Sequence, residues 1–475
     1  MEGTTRRDFM ERAAAGAALL TLGPLAEAGA APLPGRQLRA LRSAVRGKVL
    51  APGNSGYNAA RVLFNTRYDG IRPPAVVKVA NSADVQAVVK WAAKYDVPLV
   101  ARSGGNAYNG SSTSRNAVVV DVGGLTTVAV DGGNVVIGPG GRLLPTQARR
   151  ARRGLTFPAG SCPNVAVGGH ALGGGMGLSG RADGLALDRI TAIRVVTADG
   201  RKRRVTASKD EDLFWALRGG GGSFGIVVAF EIDPVRATDG AWYSVTYPAS
   251  QREEALAAYQ GFAPGTSSKL TSILSLTPTG AQAFGQYLGS ESQMRALLGP
   301  LTRVSGARLT SSAASHMTLL RRFAGCATGS SVAQCTAIAP QGFDASSVYF
   351  ADRVPSAGRR AFAEAADAGA TLLCDSYGGA VSRPAPDATA FVHRKVLFSV
   401  QIVRYGAIST AVSVVGRARK LIAPFGNGQA YQNYCDLKIK NPLKAYYGSN
   451  LPRLREIKQA VDPDDRFRPA QGIRA

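Results

Sequence analysis

The chain has 475 residues, of which 45% are hydrophobic and 19% are charged. This length and composition predict a globular protein of two or three domains rather than a low-complexity chain. The formal net charge of +25 raises the question of nucleic-acid binding. However, the basic residues are scattered, and the two short basic runs at 149–153 and 201–204 contain no aromatic residue. We therefore expect no nucleic-acid partner.

The first thirty residues are predicted to be an export signal and not part of the fold. The paired Arg6 and Arg7 and the apolar Phe9 match a twin-arginine signal, and a mild apolar stretch follows over 13–25. This stretch is too short to anchor the chain in a membrane, and small residues at 28–30 suit a cleavage site. We expect a periplasmic or secreted protein that is exported by the twin-arginine route and has no membrane anchor. The alternative is an ordinary basic N-terminus that contains an Arg-Arg pair.

Residues 36–235 are predicted to form two units of short strands and helices. In the first unit, the pattern predicts helices at 36–50 and 83–95 and strands at 75–80, 97–102 and 117–122. Asn81 and Ser82 are placed to cap the second of these helices. In the second unit, it predicts strands at 125–130, 134–137, 190–198 and 225–232 and helices near 145–153 and at 212–218.

The pattern changes over residues 236–435, where strand-like runs alternate with amphipathic helices. Strands are predicted at 242–247, 271–276 and 397–403, and helices at 252–262, 291–298 and 358–366. A large, mainly antiparallel sheet backed by helices fits this pattern, so the predicted fold class of the chain is α+β.

Two glycine-rich loops give the clearest functional signal. The first covers 100–110 and contains the run Arg-Ser-Gly-Gly-Asn-Ala-Tyr, and the second covers 158–170 and continues into the glycines of 173–177. Closely spaced glycines allow positive φ angles and let backbone N–H groups converge on an anion such as phosphate. Two Gly-x-Gly-x-x-Gly matches, at 175–180 and 220–225, lack the flanking strand and helix that a nicotinamide-binding turn needs.

Together, the two loops resemble the flavin-holding loops of the berberine bridge enzyme-like branch of the vanillyl-alcohol oxidase flavoproteins. The resemblance runs from about residue 60 to the C-terminus and implies FAD as the cofactor. It implies a two-lobed, PCMH-type FAD-binding domain over 36–235 and a substrate domain with the large sheet over 236–435. A C-terminal segment over 436–475 would return to the FAD-binding domain.

The first loop departs from the family pattern at one position. The family usually has a histidine that is bonded to the flavin, whereas this chain has Asn106, so no histidyl link is expected. The second loop keeps the family's cysteine at Cys162, which implies at most a single covalent link, with a free thiol in a turn as the alternative. The resemblance assigns to the cofactor site Arg102, Ser103, Gly104, Gly105, Asn106, Asn109, Gly110, Ser111, Cys162, Val165, Gly168, Gly169, His170, Gly173, Gly174, Gly225, Ile226, Val227 and Asn433.

Two residues of the second loop have implied roles in the flavin chemistry. His170 would lie near the flavin atoms where negative charge collects on reduction, and a donor or a cation there would stabilise that charge. A structural role in the glycine loop is the alternative for His170. Val165 falls where the family has a small residue beside an oxygen pocket, and valine there goes with oxidases. Oxygen is therefore the expected electron acceptor.

Tyrosines mark the substrate side. Residues 431–436 resemble the family's Tyr-x-Asn-Tyr-x-Asp strand, which implies that Tyr434 takes the proton of a substrate hydroxyl while hydride goes to the flavin. Alternation along such a strand would put Gln432 and Tyr434 on one face. A free phenol with a pKa near 10 is a poor base at neutral pH and needs help. Tyr377 and Gln401 are the predicted catalytic partners, and buried structural tyrosines are the alternative.

The other cysteines are expected to be structural. Cys326 and Cys335 bracket an eight-residue loop that a disulfide would close, with two free thiols as the alternative. Cys374 and Cys435 lie in apolar, strand-like stretches and are expected in the core. No cluster of His, Cys and carboxylates has metal-ligand spacing, so no metal site is expected.

We expect an FAD-dependent oxidase that removes hydride from a small-molecule alcohol, sugar or specialised metabolite and reduces oxygen to peroxide. An FAD-dependent dehydrogenase with another acceptor and a catalytically inactive flavin-fold binding protein are the alternatives. The presence of Cys162, His170, Tyr377 and Tyr434 favours an active enzyme.

Overall fold

The computed structural model describes residues 32–131 and 133–475, and the predicted export signal lies outside the described residues. Within the described ranges, no helix is both long enough and apolar enough to cross a membrane. The fold is α+β, with sheets of four, five and seven strands and a two-stranded ribbon.

The first sheet is small, mixed and buried on both faces. Its elements are helix α1 (Gly35–Ala44), strand β1 (Lys48–Leu50), helix α2 (Tyr57–Arg61), strand β2 (Val76–Lys78), helix α3 (Ser82–Tyr95) and strands β3 (Leu99–Arg102) and β4 (Val118–Asp121). The strand order is β1-β2-β4-β3, in which β1 is antiparallel to β2 and the other pairs are parallel. Valine dominates β2 and β4 because both faces of these strands are buried. Asn81 caps α3, and its side chain accepts hydrogen bonds from two backbone N–H groups of the first turn.

The predicted helix over 36–50 is wrong in its second half, since α1 ends and β1 begins inside this range. The Asp84 carboxylate accepts hydrogen bonds from the backbone N–H groups of Arg46 and Gly47, both at 2.9 Å. Gly47 also packs so closely on β2 that a Cβ atom there would lie 2.1 Å from the Lys78 carbonyl oxygen. A tertiary contact therefore overrides the local helix preference.

The second sheet is antiparallel and adjoins the second glycine-rich loop. Its elements are strands β5 (Val128–Asp131) and β6 (Asn134–Ile137), helix α4 (Leu143–Ala151), strand β7 (Leu155–Thr156), helices α5 (Val167–Leu172) and α6 (Gly180–Asp183), strands β8 (Ile190–Val196) and β9 (Lys202–Val205), helix α7 (Glu211–Leu217) and strand β10 (Ile226–Ile232). The strand order is β5-β6-β10-β8-β9, and β7 pairs instead with β11 (Val235–Arg236). Apolar residues of β8 and β10 share one core with α5 and α7.

The third sheet has seven antiparallel strands, which confirms the prediction of a large antiparallel sheet. Its elements are β12 (Gly240–Pro248), α8 (Arg252–Phe262), β13 (Leu270–Thr277), β14 (Gly280–Tyr287), α9 (Glu291–Leu297), α10 (Gly299–Thr302), β15 (Arg308–Ala314), α11 (His316–Phe323), α12 (Val332–Thr336), β16 (Phe343–Phe350), α13 (Ser356–Asp367), β17 (Thr371–Ser376), β18 (Phe398–Tyr405) and α14 (Ile408–Ile422). The strand order is β15-β12-β14-β13-β17-β18-β16. Along β13, Leu274 and Leu276 pack in the core formed with α8, α13 and α14, while Ile273 and Ser275 line cavities on the other face.

The C-terminal part of the chain returns to the first two sheets. Helix α15 (Pro442–Tyr447) is followed by helix α16 (Leu451–Val461), which packs into the core of the second sheet. Lys458 is fully buried, and its ammonium group bonds to the Asp462 carboxylate. Phe467 forms a backbone bridge with Leu99 of β3. The domain boundaries predicted after residues 235 and 435 stay predictions.

The predicted disulfide between Cys326 and Cys335 is confirmed, and it joins the segment after α11 to α12. The other described cysteines are free thiols. Cys374 is buried in β17, as expected. Cys435 is buried too, but it follows a 3-10 turn and does not lie in a strand, which corrects that part of the prediction.

Candidate active site

A cavity of about 300 Å³ lies where the two glycine-rich loops, the start of β10 and the C-terminal segment meet the seven-stranded sheet. Its volume is that of a cofactor or substrate site. The predicted residues that line it are Ser103, Gly104, Gly105, Asn106, Asn109, Ser111, Cys162, Val165, Gly168, Gly169, His170, Gly173, Gly225, Ile226, Val227, Asn433 and Tyr434. The fold therefore brings together residues from both halves of the chain.

Three residues predicted to hold the cofactor lie behind the cavity wall instead. Arg102 is buried, and its guanidinium pairs with Asp121 at 3.0 Å, which joins the ends of β3 and β4. Gly110 has a φ of 70° and packs against a tyrosine ring, and Gly174 packs against the ring of Tyr431. These three residues support the loops and do not line the cavity.

The cavity wall fits a phosphate-bearing cofactor such as FAD. A Cβ atom at Gly169 or Gly222 would meet no protein atom within 4 Å, so backbone forms the wall there and leaves the space open. A Cβ atom at Gly168 would come within 2.8 Å of the Ser103 hydroxyl, which shows how closely the two loops approach. The described residues that line the cavity include no Lys or Arg. The donors available to a pyrophosphate are therefore backbone N–H groups and neutral side chains such as serine hydroxyls.

Asn106 lies where the family has its flavin-bonded histidine. Its Oδ1 is 3.5 Å from a guanidinium nitrogen of Arg142, which also donates to the carbonyl oxygens of Gly104 and Asn164. Burial lowers the pKa of Arg142. A carboxamide nitrogen is not a nucleophile comparable with imidazole, so the first loop offers no histidyl link.

A second cavity of about 310 Å³ adjoins the first on the same face of the seven-stranded sheet. Five residues line both cavities, namely Tyr108, Ser161, Cys162, Leu178 and Ile273. Cys162 is a free, half-buried thiol at this junction, whereas Val165 lines only the first cavity. The junction is where a group bound in one cavity can contact a group bound in the other.

Gln401 lines the second cavity and not the first. It is buried, and its Nε2 donates a hydrogen bond of 2.7 Å to the Tyr108 hydroxyl oxygen. The Tyr108 ring in turn stacks on Tyr434, with the ring centres 5.7 Å apart and the planes 10° from parallel. Gln401 is thus connected to Tyr434 through Tyr108.

His170 is held as a neutral ring. The backbone N–H of Gly160 donates to its Nε2 at 3.0 Å, so the ring proton sits on Nδ1. Burial lowers the pKa of His170 to about 4. At neutral pH the structure therefore favours a neutral His170 that donates a hydrogen bond over a cationic His170.

The segment predicted as a Tyr-x-Asn-Tyr-x-Asp strand is a 3-10 turn over Gln432–Tyr434, so the predicted alternation of side chains is wrong. The turn is closed by a hydrogen bond of 2.8 Å from the Tyr434 N–H to the Tyr431 carbonyl oxygen. The Asn433 side chain donates to the His170 carbonyl oxygen and to the Tyr431 hydroxyl, both at 3.0 Å. The long-range contact to His170 and the local contact to Tyr431 stabilise a turn where the residue pattern favoured a strand.

Tyr377 is fully buried directly after β17 and lines neither cavity. Its hydroxyl shares a hydrogen bond of 2.9 Å with the Tyr349 hydroxyl. Burial raises the pKa of Tyr377 well above the ordinary value of a phenol. The structure thus places Tyr377 behind the wall, without direct access to a ligand.

Several residues at the cavity were not predicted from the sequence, and three of them bear on the chemistry. Asp375 of β17 lines it, and a carboxylate inside an otherwise apolar strand-like run was the signal. Tyr108 stands in the first loop, where an aromatic residue among glycines marks it. Tyr431 accepts a hydrogen bond of 3.1 Å from the Gly175 N–H, and burial raises its pKa. Tyr431 therefore ties the second loop to the turn that holds Tyr434.

Known proteins similar to this chain indicate the same cofactor. The family model for an FAD binding domain matches residues 73–206, and the model described as berberine and berberine like matches residues 430–474. The FAD-linked oxidoreductase YvdP of Bacillus subtilis is 32% identical over 446 residues, which cover 90% of this chain and 98% of the relative. The chitooligosaccharide oxidase of Gibberella zeae is 28% identical over 463 residues, which cover 89% and 92%.

Solved structures agree with this relationship over nearly the whole chain. Physcomitrella patens BBE-like 1 superimposes with a TM-score of 0.87 at 29% identity, covering 92% of this chain and 98% of that one. A chitooligosaccharide oxidase superimposes with a TM-score of 0.85 at 28% identity, covering 92% and 99%. With the flavin loops, the cavity that fits FAD and a relative at 32% identity, the chain belongs to the berberine bridge enzyme-like family of FAD-linked oxidoreductases.

Proposed function

We propose that this FAD-linked oxidoreductase is an oxidase that removes hydride from a hydroxyl-bearing carbon of a saccharide. The main support for this proposal is that the first cavity, at the two glycine-rich loops, adjoins a second cavity lined by hydroxyl and amide side chains. These are Ser244, Thr246, Ser275, Thr277, Thr279, Gln282 and Gln401. Such a lining suits a polyhydroxylated ligand, and one of the relatives is named a chitooligosaccharide oxidase.

Bound FAD would accept the hydride at its flavin ring and pass the electrons to oxygen. Ser103, Gly104 and Gly105 of the first loop would hold its pyrophosphate through backbone N–H groups. Gly168 and Gly169 would do the same from the second loop, since both line the cavity at the start of α5. No Lys or Arg among the described residues lines the cavity, so this binding would use neutral donors.

We propose a single covalent link between the protein and FAD, formed by Cys162. Its half-buried thiol lies at the junction of the cavities, and Asn106 cannot form the histidyl link. Cys435 also lines the first cavity, but burial raises its pKa to about 11 and disfavours the reactive thiolate. Cys162 is therefore the better candidate.

Tyr434 is the proposed base for the substrate hydroxyl. Its ring is held between Tyr108 and Tyr431, so its hydroxyl has a defined position. A phenol that accepts a proton must release its own, because its ordinary pKa lies near 10. The Asp375 carboxylate lines the same cavity and is the proposed acceptor of that proton.

Tyr377 and Gln401 are proposed as positioning residues and not as groups that touch the reacting atoms. Tyr377 would act through Tyr349, to which it is hydrogen-bonded, and Gln401 through Tyr108. His170 would supply a hydrogen-bond donor to the flavin at neutral pH. Val165 would leave room for oxygen beside the flavin.

We propose that the protein is exported by the twin-arginine route. The Cys326–Cys335 disulfide supports export, though not the route, because disulfides persist in oxidising compartments. The intact mass of the exported protein tests it. A chain that begins near residue 31 and carries one disulfide is expected, whereas an uncleaved and fully reduced chain would contradict the proposal.

Anaerobic mixing with a panel of oligosaccharides tests the oxidase function. We expect at least one saccharide to bleach the visible flavin absorbance and, after air is admitted, to yield peroxide in equal amount. Bleaching without peroxide would indicate a dehydrogenase. A fully FAD-loaded protein that no saccharide bleaches would refute saccharide oxidation.

A further inference from the structure

The second cavity contains one unusual group among its polar side chains. Of the described residues that line it, Arg322 is the only one with a formal charge. Neutral hydroxyls and amides suffice to bind neutral sugar rings, so a guanidinium has no evident role toward such a ligand. Arg322 therefore calls for a separate explanation.

The position of Arg322 is fixed by two aromatic contacts. It lies in the last turn of α11, and its guanidinium carbon is 3.3 Å from the centre of the Trp242 ring. The next residue, Phe323, stacks on Phe284 of β14 with ring centres 6.4 Å apart. Trp242 and Ser244 alternate to the same face of β12, and Ser244 lines the cavity. These contacts hold α11 against the sheet and fix the position of Arg322, which lines the cavity.

Stacking on an indole covers a face of the guanidinium but leaves its N–H groups, which point outward in the ring plane. The guanidinium is partly desolvated, and burial lowers the pKa of Arg322 with no described carboxylate nearby to raise it. A partly buried cation without a counterion is a site that an anion stabilises. The Trp242 ring supplies part of this stabilisation and leaves the in-plane donors free for a ligand.

A second observation concerns the neutral groups beside Arg322. Ser275, Thr277 and Gln282 line the same cavity. Gln401 lines it too, but its Oε1 is buried below the surface and its Nε2 is engaged by Tyr108. The cavity thus offers a cation beside neutral hydroxyl and amide groups, which match the carboxylate and the hydroxyls of one ligand.

We propose that the substrate is an acidic saccharide, whose carboxylate is bound by Arg322 and whose hydroxyls contact the hydroxyl and amide side chains of the same cavity. The inference rests on the proposed saccharide oxidation and specifies the substrate class. A uronic-acid unit carries both groups on one ring. Arg322 would therefore distinguish acidic from neutral oligosaccharides of the same size.

Calorimetric titration of the FAD-loaded protein tests binding without requiring turnover. The probes are cellobiouronic acid and cellobiose, and digalacturonic acid and galactobiose, each reduced to its alditol so that no anomeric hydroxyl can be oxidised. Charge-assisted hydrogen bonds contribute enough for a roughly 10- to 100-fold difference in affinity. We expect at least one acidic probe to bind more tightly than its neutral partner by that factor, and added salt to reduce the difference.

Variants of one helix provide the control. Arg322→Gln should abolish the preference for the acidic probe, Arg322→Lys should restore it in part, and Arg321→Gln, which does not line the cavity, should leave it intact. Equal affinities for both members of both pairs, or a preference that survives Arg322→Gln, would overturn the proposal. Unreduced sugars are tested separately for flavin bleaching. A failure of bleaching with retained acidic preference would refute saccharide oxidation and leave the anion site established.

Discussion

Tyr434→Phe tests the proposed chemistry with the smallest change, because it removes one oxygen atom and keeps the ring. The ring stacks on Tyr108 at 5.7 Å and meets Tyr431 edge-on at 4.9 Å, and phenylalanine keeps both contacts. Aromatic pairs contribute about 0.5–1.5 kcal/mol each, so the free energy of unfolding should stay within about 1 kcal/mol of wild type. A positioned general base contributes roughly 10²–10⁴ in rate, so flavin bleaching by substrate should slow by that factor.

The assay is anaerobic stopped-flow bleaching, with FAD content and thermal unfolding measured on the same preparations. Tyr108→Phe is the matched control, since it keeps the stacked ring and loses the hydrogen bond from Gln401. Its bleaching rate should change by no more than about tenfold, because the net contribution of one ordinary hydrogen bond corresponds to at most about that factor. Tyr434→Ala should lose about 1–3 kcal/mol of stability because both ring contacts disappear. An unchanged bleaching rate in Tyr434→Phe at normal FAD content would remove Tyr434 from the mechanism.

Three further predictions concern the cofactor and the fold. Acid precipitation of wild type should leave FAD on a peptide that contains Cys162, and Cys162→Ala should release FAD into the supernatant; an FAD-bearing peptide from the first loop would contradict this. Gly169→Leu should fill the open wall and lower FAD content while circular dichroism stays unchanged, and full FAD occupancy in this variant would show that Gly169 does not face the cofactor. Burial lowers the pKa of His393 to about 4 in the folded protein. Below pH 6.5, His393 therefore binds a proton more readily in the unfolded state than in the folded state. The free energy of unfolding should therefore fall by up to about 3 kcal/mol between pH 6.5 and 4, less so in His393→Gln, and equal slopes for the two proteins would refute this reasoning.

Local signals were sufficient where a helix or strand depends on its own residues. The helix predicted at 252–262 has the same bounds in the structure, because its apolar residues repeat at helical spacing. The glycine loops could also be placed from local sequence, since a run of glycines directly after a strand is typical of an anion-binding loop. The turn at 432–434 could not be predicted, because a hydrogen bond from Asn433 to His170 of the distant second loop stabilises it.

The sequence also did not show which side chains of the third sheet reach the cavity. Asp375 and Tyr377 are two positions apart, yet the first lines the cavity and the second lies behind it. Strand β17 ends at Ser376, so simple alternation no longer applies to Tyr377. Arg322 was missed because only the packing of α11 against Trp242 brings it to the wall. Residue types could be assigned from the sequence, whereas their access to a ligand needed the tertiary structure.

The return of the C-terminal segment imposes an order on biosynthesis. Gln471 and Gly472 line the cavity of the flavin loops, and Phe467 bridges to Leu99 at the strand that leads into the first loop. The wall is therefore incomplete until residues 467–472 have left the ribosome and packed against the first two sheets, so FAD cannot be fully enclosed before that step. Deletion of residues 467–475 would accordingly impair cofactor loading even if every catalytic residue were intact.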